Sequence, residues 1–243
     1  MDHLGPIIIT GVAVGSIYAL IALGFSIIYR TTDIVNFAQG EFVMLGGLLT
    51  VTFNQTLGWP IPAAVPVAVL ATGLIGAAVE ALAIRPARTA SATTLIIITI
   101  GLSIAIRTVA GMIWGRDPIP VPRFSAHETL KLGALTVATQ YLWLVGLSAA
   151  SLVAVGLFFR KTLTGKKMEA CAINRRGARV VGIEPASASR LAFAIAAALA
   201  GLAGAAMAPV YYAGYDRGAL MGLKGFCRSE EHTSELQSPN TNS

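Results

Sequence analysis

Six apolar runs of roughly 20 residues, each closed by a short polar break, constrain this chain more than any other feature. They are Ile7 to Tyr29, Phe37 to Leu57, Ile61 to Ile84, Thr93 to Trp114, Thr139 to Phe159 and Leu191 to Tyr212. Helices of that length match the hydrocarbon core of a bilayer, where every backbone N–H and C=O must be satisfied without water. A soluble core cannot absorb the surplus: 55% of the residues are hydrophobic and 12% charged, against roughly 45–50% and about 25% in soluble domains. The expected fold is all-α, a polytopic transmembrane helix bundle with about six spans present. Gly58-Trp59-Pro60 and Arg85-Pro86 punctuate it, and Pro118, Pro120 and Pro122 make Arg116 to Lys131 an extended external loop, not a further span. With no basic region and no small-residue cleavage site before it, Ile7 to Tyr29 reads as a retained first span.

The formal charge of +6 does not point to nucleic acid, because the bases sit in particular loops. With the N-terminus outside, Arg30, Arg85, Arg88 and eight further bases between Arg160 and Arg190 fall inside, eleven in all. Only Arg116, Arg123, Lys131, Arg217 and Lys224 then fall outside, and that asymmetry predicts an outer N-terminus. Gly11-x3-Gly15, Gly73-x2-Gly76 and Gly201-x2-Gly204 allow close helix contacts, whether as a specific interface or as plain packing.

Enzymatic chemistry lacks its parts. His3, His127 and His232 all lie outside the spans, and Cys171 and Cys227 have neither disulfide nor metal-ligand spacing. Gly165-Lys166-Lys167 lacks the earlier glycine and the final Ser/Thr of a phosphate loop. No cofactor is expected on this chain, and any ATP must be hydrolysed by partner subunits.

Two clusters stand out. Between Asp33 and Phe42, the polar Asn36, Gln39 and Glu41 enter the second span together, and Arg107 sits in the middle of the fourth. Ionisable groups at membrane depth are costly unless they face protein or a water-filled cavity. Asn36, Gln39, Glu41 and Arg107 are therefore candidates for a translocation pathway or gate, a buried structural network being the alternative. Pairing of Arg107 with Glu41 or Glu80 is open, but counting residues along each span puts both carboxylates nearer the inner face, and Glu80 is expected to meet Arg85 or the interface. The second cluster is the loop from Lys161 to Ile183, where Met168, Cys171 and Ala172 share one face of a short helix running from near Gly165 to near Gly177 and continuing into a second turn to Ile183. It either docks a partner or simply orients the chain through its bases.

Gly15-Ser16-Ile17-Tyr18-Ala19-Leu20-Ile21-Ala22-Leu23-Gly24, followed by Asn36-Phe37-Ala38-Gln39-Gly40-Glu41-Phe42, resembles the opening of the high-affinity branched-chain amino acid permease family of ABC importers. Gly165 to Ile183 resembles its cytoplasmic coupling segment, and Leu223-Lys224-Gly225-Phe226 the start of its next block. Within the coupling segment, Glu169-Ala170-Cys171 and Gly177 fit the opening of the E-A-A loop of ABC permeases, while its later leucine-proline is absent. The resemblance implies a second permease subunit completing the path, cytoplasmic ATPase subunits docked on Met168, Glu169, Ala170, Cys171, Ala172 and Gly177, and a periplasmic or extracellular solute-binding protein. It also implies the bacterial plasma membrane, and leucine, isoleucine, valine or a related amino acid or amide as cargo. A secondary transporter or channel is the alternative of a different class.

The resemblance ends near residue 227, so 1–227 is expected to be a permease domain lacking its C-terminal spans. Residues 228–243 are polar and aperiodic. The run from Arg228 to Ser238 resembles, residue for residue, a sequencing-adapter oligonucleotide read in frame, so this tail is expected to be foreign.

Overall fold

The computed structural model describes residues 4–88, 90–125, 129–132, 135–216, 218 and 222. Leu223 to Phe226, Cys227 and the tail 228–243 lie outside the described residues. Helix α1 (Leu4–Thr32) runs to Asp33, whose φ of 58° turns the chain in the left-handed region that Asp tolerates. Then come α2 (Gln39–Val51), extended by a π-helical turn Thr52–Thr56, and α3 (Ile61–Val79), extended by a second π-helical turn Glu80–Ile84. Helix α4 (Ala92–Trp114) is capped by the Ser91 hydroxyl, which accepts from the Thr94 N–H at 3.2 Å.

A short antiparallel hairpin follows, β1 (Thr129–Leu132) and β2 (Leu135–Ala138), with Thr129 opposite Ala138. It lies between spans, and the loop after α4 is further tied down where Ile119 bridges to Ala213. Helix α5 (Thr139–Lys161) leads to α6 (Leu163–Ile173) and α7 (Arg175–Val180), capped by Thr162 and Asn174 respectively. The loop between α5 and the next long helix is therefore two helices broken at Asn174, not one helix reaching Gly177. The extended backbone of Asn174 lets its side-chain oxygen accept from the Gly177 N–H at 2.8 Å. Helix α8 (Pro185–Tyr211) begins six residues before the expected Leu191: Pro185, preset for a first helical turn, starts it, and Arg190 sits on an exposed side of the same helix.

Helix α8 is the centre. It packs against α1, α2 and α3, and Ala192, Ala196, Ala197, Ala200 and Ala203 are wholly buried along it. Small residues serve here because lipid offers no hydrophobic drive for helix association, so stability comes from close backbone contact. The closest contacts lie between α2 and α8: a Cβ on Gly46 would stand 2.1 Å from the Gly201 carbonyl oxygen, and one on Gly204 would stand 1.8 Å from that of Val43. Ile17, Leu20, Ile21, Phe42, Leu48 and Phe193 fill the space around this seam. Helices α4 and α5 are the most exposed of the long helices, and Ile97, Ile104, Met112 and Val153 face outward from them.

Among the described residues five helices are long and apolar enough to cross a membrane: α1, α3 with its π turn, α4, α5 and α8. The span expected from Phe37 to Leu57 is realised differently. Helix α2 has only 13 residues, about 20 Å, and Ile34 to Ala38 precede it as non-helical chain. The Thr99 hydroxyl, seven residues or about 10 Å into α4, lies 3.4 Å from the Val35 carbonyl oxygen. This second crossing thus enters the bundle as non-helical chain and a turn and becomes helical only at depth, which is tolerated in a membrane where surrounding protein covers the backbone.

Candidate functional site

The polar start of α2 meets α4 along a seam in which the two helices run in the same direction. Val35 stands beside Thr99, Glu41 beside Ser103 and Arg107, and Thr52 beside Trp114, whose indole N–H donates to the Thr52 hydroxyl at 2.7 Å. Glu41 is completely buried. Its Oε1 accepts from the Ser103 hydroxyl at 2.8 Å and from Arg107 Nη2 at 2.6 Å. Placed in the first turn of α2, the carboxylate also lies where the helix dipole favours negative charge. The Arg107 side chain is one-third exposed, so this ion pair is closed on the Glu41 side and open on the other.

Gln39 reaches across to α8, its Nε2 donating to the Ala196 carbonyl at 3.0 Å. Asn36 bonds locally, its Oδ1 accepting from the Ala38 N–H at 3.1 Å and shaping the turn into α2. The structure brings Asn36, Gln39 and Glu41 to one end of one helix and adds Arg107. Ser103 was not among the sequence candidates, although a signal for it exists: Thr99, Ser103 and Arg107 recur every four residues, a polar stripe on one face of an apolar helix.

Glu80, equally buried, pairs with Arg88, which corrects the expectation of Arg85 or the interface. The π turn carries Glu80 into the protein, and Arg88 in the following loop folds back over it. Burial holds the Arg88 pKa below its ordinary value and the nearby Arg175 and Arg85 push the same way, opposed by Glu80. Arg175 in turn donates to the Thr32 carbonyl and to the Ser189 hydroxyl, both at 3.3 Å. The α6–α7 segment is thereby tied to the C-terminal end of α1 and the N-terminal end of α8.

Of the expected docking residues, Met168 and Cys171 face inward and are buried, and Ala170 is half-buried, while Glu169, Ala172 and Gly177 are exposed. The apolar face of α6 is covered by its own chain, since Gly165, Met168 and Cys171 at spacing three turn toward the bundle. Burial pushes the Cys171 thiol pKa up, only partly countered by Arg175. The apolar groups left open on this side are Leu163, Ile173, Val180 and Val181, each more than 70% exposed. Beside them a groove of about 700 Å³ runs between α1, α5 and α6, rimmed by Arg30, Asp33 and Glu169.

The family model described as branched-chain amino acid transport system, permease component, matches residues 7–227. The high-affinity branched-chain amino acid transport system permease protein LivH of Escherichia coli K12 is 28% identical over 235 residues, covering 89% of this chain and 74% of that protein. BraD of Pseudomonas aeruginosa, with the same description, is 28% identical over 235 residues, covering 90% and 76%. The fructose import permease protein FruF of Bifidobacterium longum is also 28% identical, over 206 residues and 82% and 54% of the two chains. No solved structure matches. The chain belongs to the branched-chain amino acid transport permease family, as a membrane-spanning permease subunit.

Proposed function

We propose that this permease works in an ATP-driven importer of branched-chain amino acids or related small amino acids or amides. The observation that carries this is the likeness to LivH and BraD over nine-tenths of the chain. Its translocation pathway passes the polar start of α2, where Asn36, Gln39 and Glu41, with Ser103 and Arg107 of α4, put polar groups at membrane depth. A second permease subunit faces the open side of Arg107. A solute-binding protein delivers cargo at the outer face, and ATPase subunits dock at the inner one. The chain sits in the plasma membrane with its N-terminus outside, a topology supported by the bases between Arg160 and Arg190. Nucleotide-driven closure is transmitted through α6 and α7, whose Arg175 ties reach the ends of α1 and α8. Two states of the spans then expose the seam alternately.

Uptake of radiolabelled leucine into proteoliposomes holding the full-length permease and its neighbouring subunits tests this. Uptake is expected to require ATP and the binding protein, and uptake driven by an ion gradient without ATP would overturn it. Docking is tested by Leu163→Asp and Val180→Asp: each puts a charge into the apolar contact and should abolish ATPase co-purification and uptake while leaving membrane insertion intact. Retained co-purification in both variants would remove Leu163 and Val180 from the interface.

A further inference from the structure

Polar atoms buried in a protein almost always find hydrogen-bond partners, so a local concentration of unpartnered ones points to something the site is built to hold. Among the described residues eight buried side-chain atoms lack a partner, and four belong to the polar start of α2 and its partner on α4: Asn36 Nδ2, Gln39 Oε1 on the side turned toward α8, and Glu41 Oε2 and Arg107 Nε, whose side chains meet at the α2–α4 seam. They include two donors and two acceptors. Glu41 uses only one of its oxygens on Arg107 and Ser103, and Arg107 spends only Nη2 on Glu41 and, at 3.5 Å, Ser103.

Resting on the reading of this chain as an amino acid permease, we propose that the Glu41–Arg107 pair is the resting form of a binding site for the zwitterionic head of an α-amino acid. The substrate ammonium takes Glu41 and the substrate carboxylate takes Arg107. The two protein charges exchange each other for the two ends of one ligand. In an α-amino acid both charges stand on a single carbon, so Glu41 and Arg107 need to part only far enough to admit the ammonium, that carbon and the carboxylate between them. Ser103 holds the Glu41 carboxylate during the exchange.

The chemistry of burial makes the site selective. Separating a buried ion pair leaves two uncompensated charges, which is strongly unfavourable. A zwitterion compensates both. An amine or a carboxylate alone compensates one and strands the other, and a neutral sugar compensates neither. The opening lies on the Arg107 side, since Glu41 is closed off while Arg107 is one-third exposed in mid-span on a helix whose apolar neighbours meet lipid. An arginine at that depth faces protein or water, not acyl chains.

The test measures binding of tritiated L-leucine to the full-length permease complex in nanodiscs, without binding protein, with leucinamide and 4-methylpentanoate as competitors that each keep one charge. In the wild type both should compete at least about tenfold more weakly than isoleucine. In Arg107→Gln the penalty against leucinamide should vanish while that against 4-methylpentanoate stays, and Glu41→Gln should show the reverse. The doubly neutral Glu41→Gln/Arg107→Gln carries no stranded charge, so it should assemble normally yet lose leucine binding and uptake. Charge discrimination unchanged in both single variants, or normal leucine uptake by the double variant, would overturn the proposal while leaving the permease reading intact. A wild-type complex that takes up fructose and no amino acid would overturn both.

Discussion

The contact between α2 and α8 makes a quantitative demand on Gly204. A methyl group there would lie 1.8 Å from the Val43 carbonyl oxygen and 2.7 Å from its carbon, whereas a carbon–oxygen contact settles near 3.3 Å or more. Both obstacles are backbone and cannot rotate aside, so in Gly204→Ala the two helices must part by about 1.5 Å. A gap of that size removes most of the dispersion along the seam, and overpacking of this kind costs about 1–3 kcal/mol or more. The rigid obstacle puts Gly204→Ala at the upper end. Gly156 on α5 is the matched control, because nothing lies within 4 Å of its added methyl. Gly156→Ala should be neutral or stabilising by up to about 1 kcal/mol through helix propensity. Both variants would be compared by SDS-induced unfolding of the purified protein in mixed micelles. Gly204→Ala unfolding at the wild-type midpoint, or Gly156→Ala losing as much stability, would refute the packing argument.

At the C-terminal end of α3, Arg88→Gln strands the buried Glu80 carboxylate and should cost about 3–5 kcal/mol, somewhat less to the extent that solvent reaches the site. The neutral pair Glu80→Gln/Arg88→Gln should recover most of that loss in the same assay, and failure to recover would mean that the pair is not what holds the π turn. Cys171, buried and with its thiol pKa raised, should react with a maleimide much more slowly than a cysteine placed at the exposed Ala172, and its rate should climb as pH rises and thiolate forms. Equal rates at neutral pH would show that α6 does not turn this face inward.

Most spans were legible because a bilayer imposes a length and a polarity that any helix crossing it must show. Helix α3 starts at Ile61 and α5 at Thr139, where the punctuation places them, and α4 ends at the expected Trp114. The second crossing was not legible in the same way. Ile34, Val35, Phe37 and Ala38 are as apolar as a helix would be, and mean hydropathy cannot distinguish extended chain buried in protein from helix. Counting 1.5 Å per residue from the loop therefore set Glu41 too near the loop end of the span. The non-helical stretch before α2 does not keep that rise, and Glu41 stands beside Ser103 and within reach of Arg107. Amphipathy in α6 likewise defined a face without saying whether a partner or the chain itself covers it.

The composition of α8 and the polar opening of α2 are parts of one arrangement. Helix α2 is buried around almost its whole circumference, including Gln39, Gly40 and Glu41 in its first turn. Such a start is possible only if the neighbouring helix can come close enough to offer backbone. Gln39 does bond to backbone, at the Ala196 carbonyl of α8, and bulky side chains in place of Ala196, Ala197 and Ala200 would hold the helices too far apart for that bond. Glycine at 46, 201 and 204 then brings the remainder of α2 into direct contact with α8. The small residues thus do more than pack: they let a short helix begin inside the membrane, and that beginning places the carboxylate of Glu41 opposite Arg107. A larger residue at the α2–α8 contact should accordingly disturb the ion pair without touching either of its members.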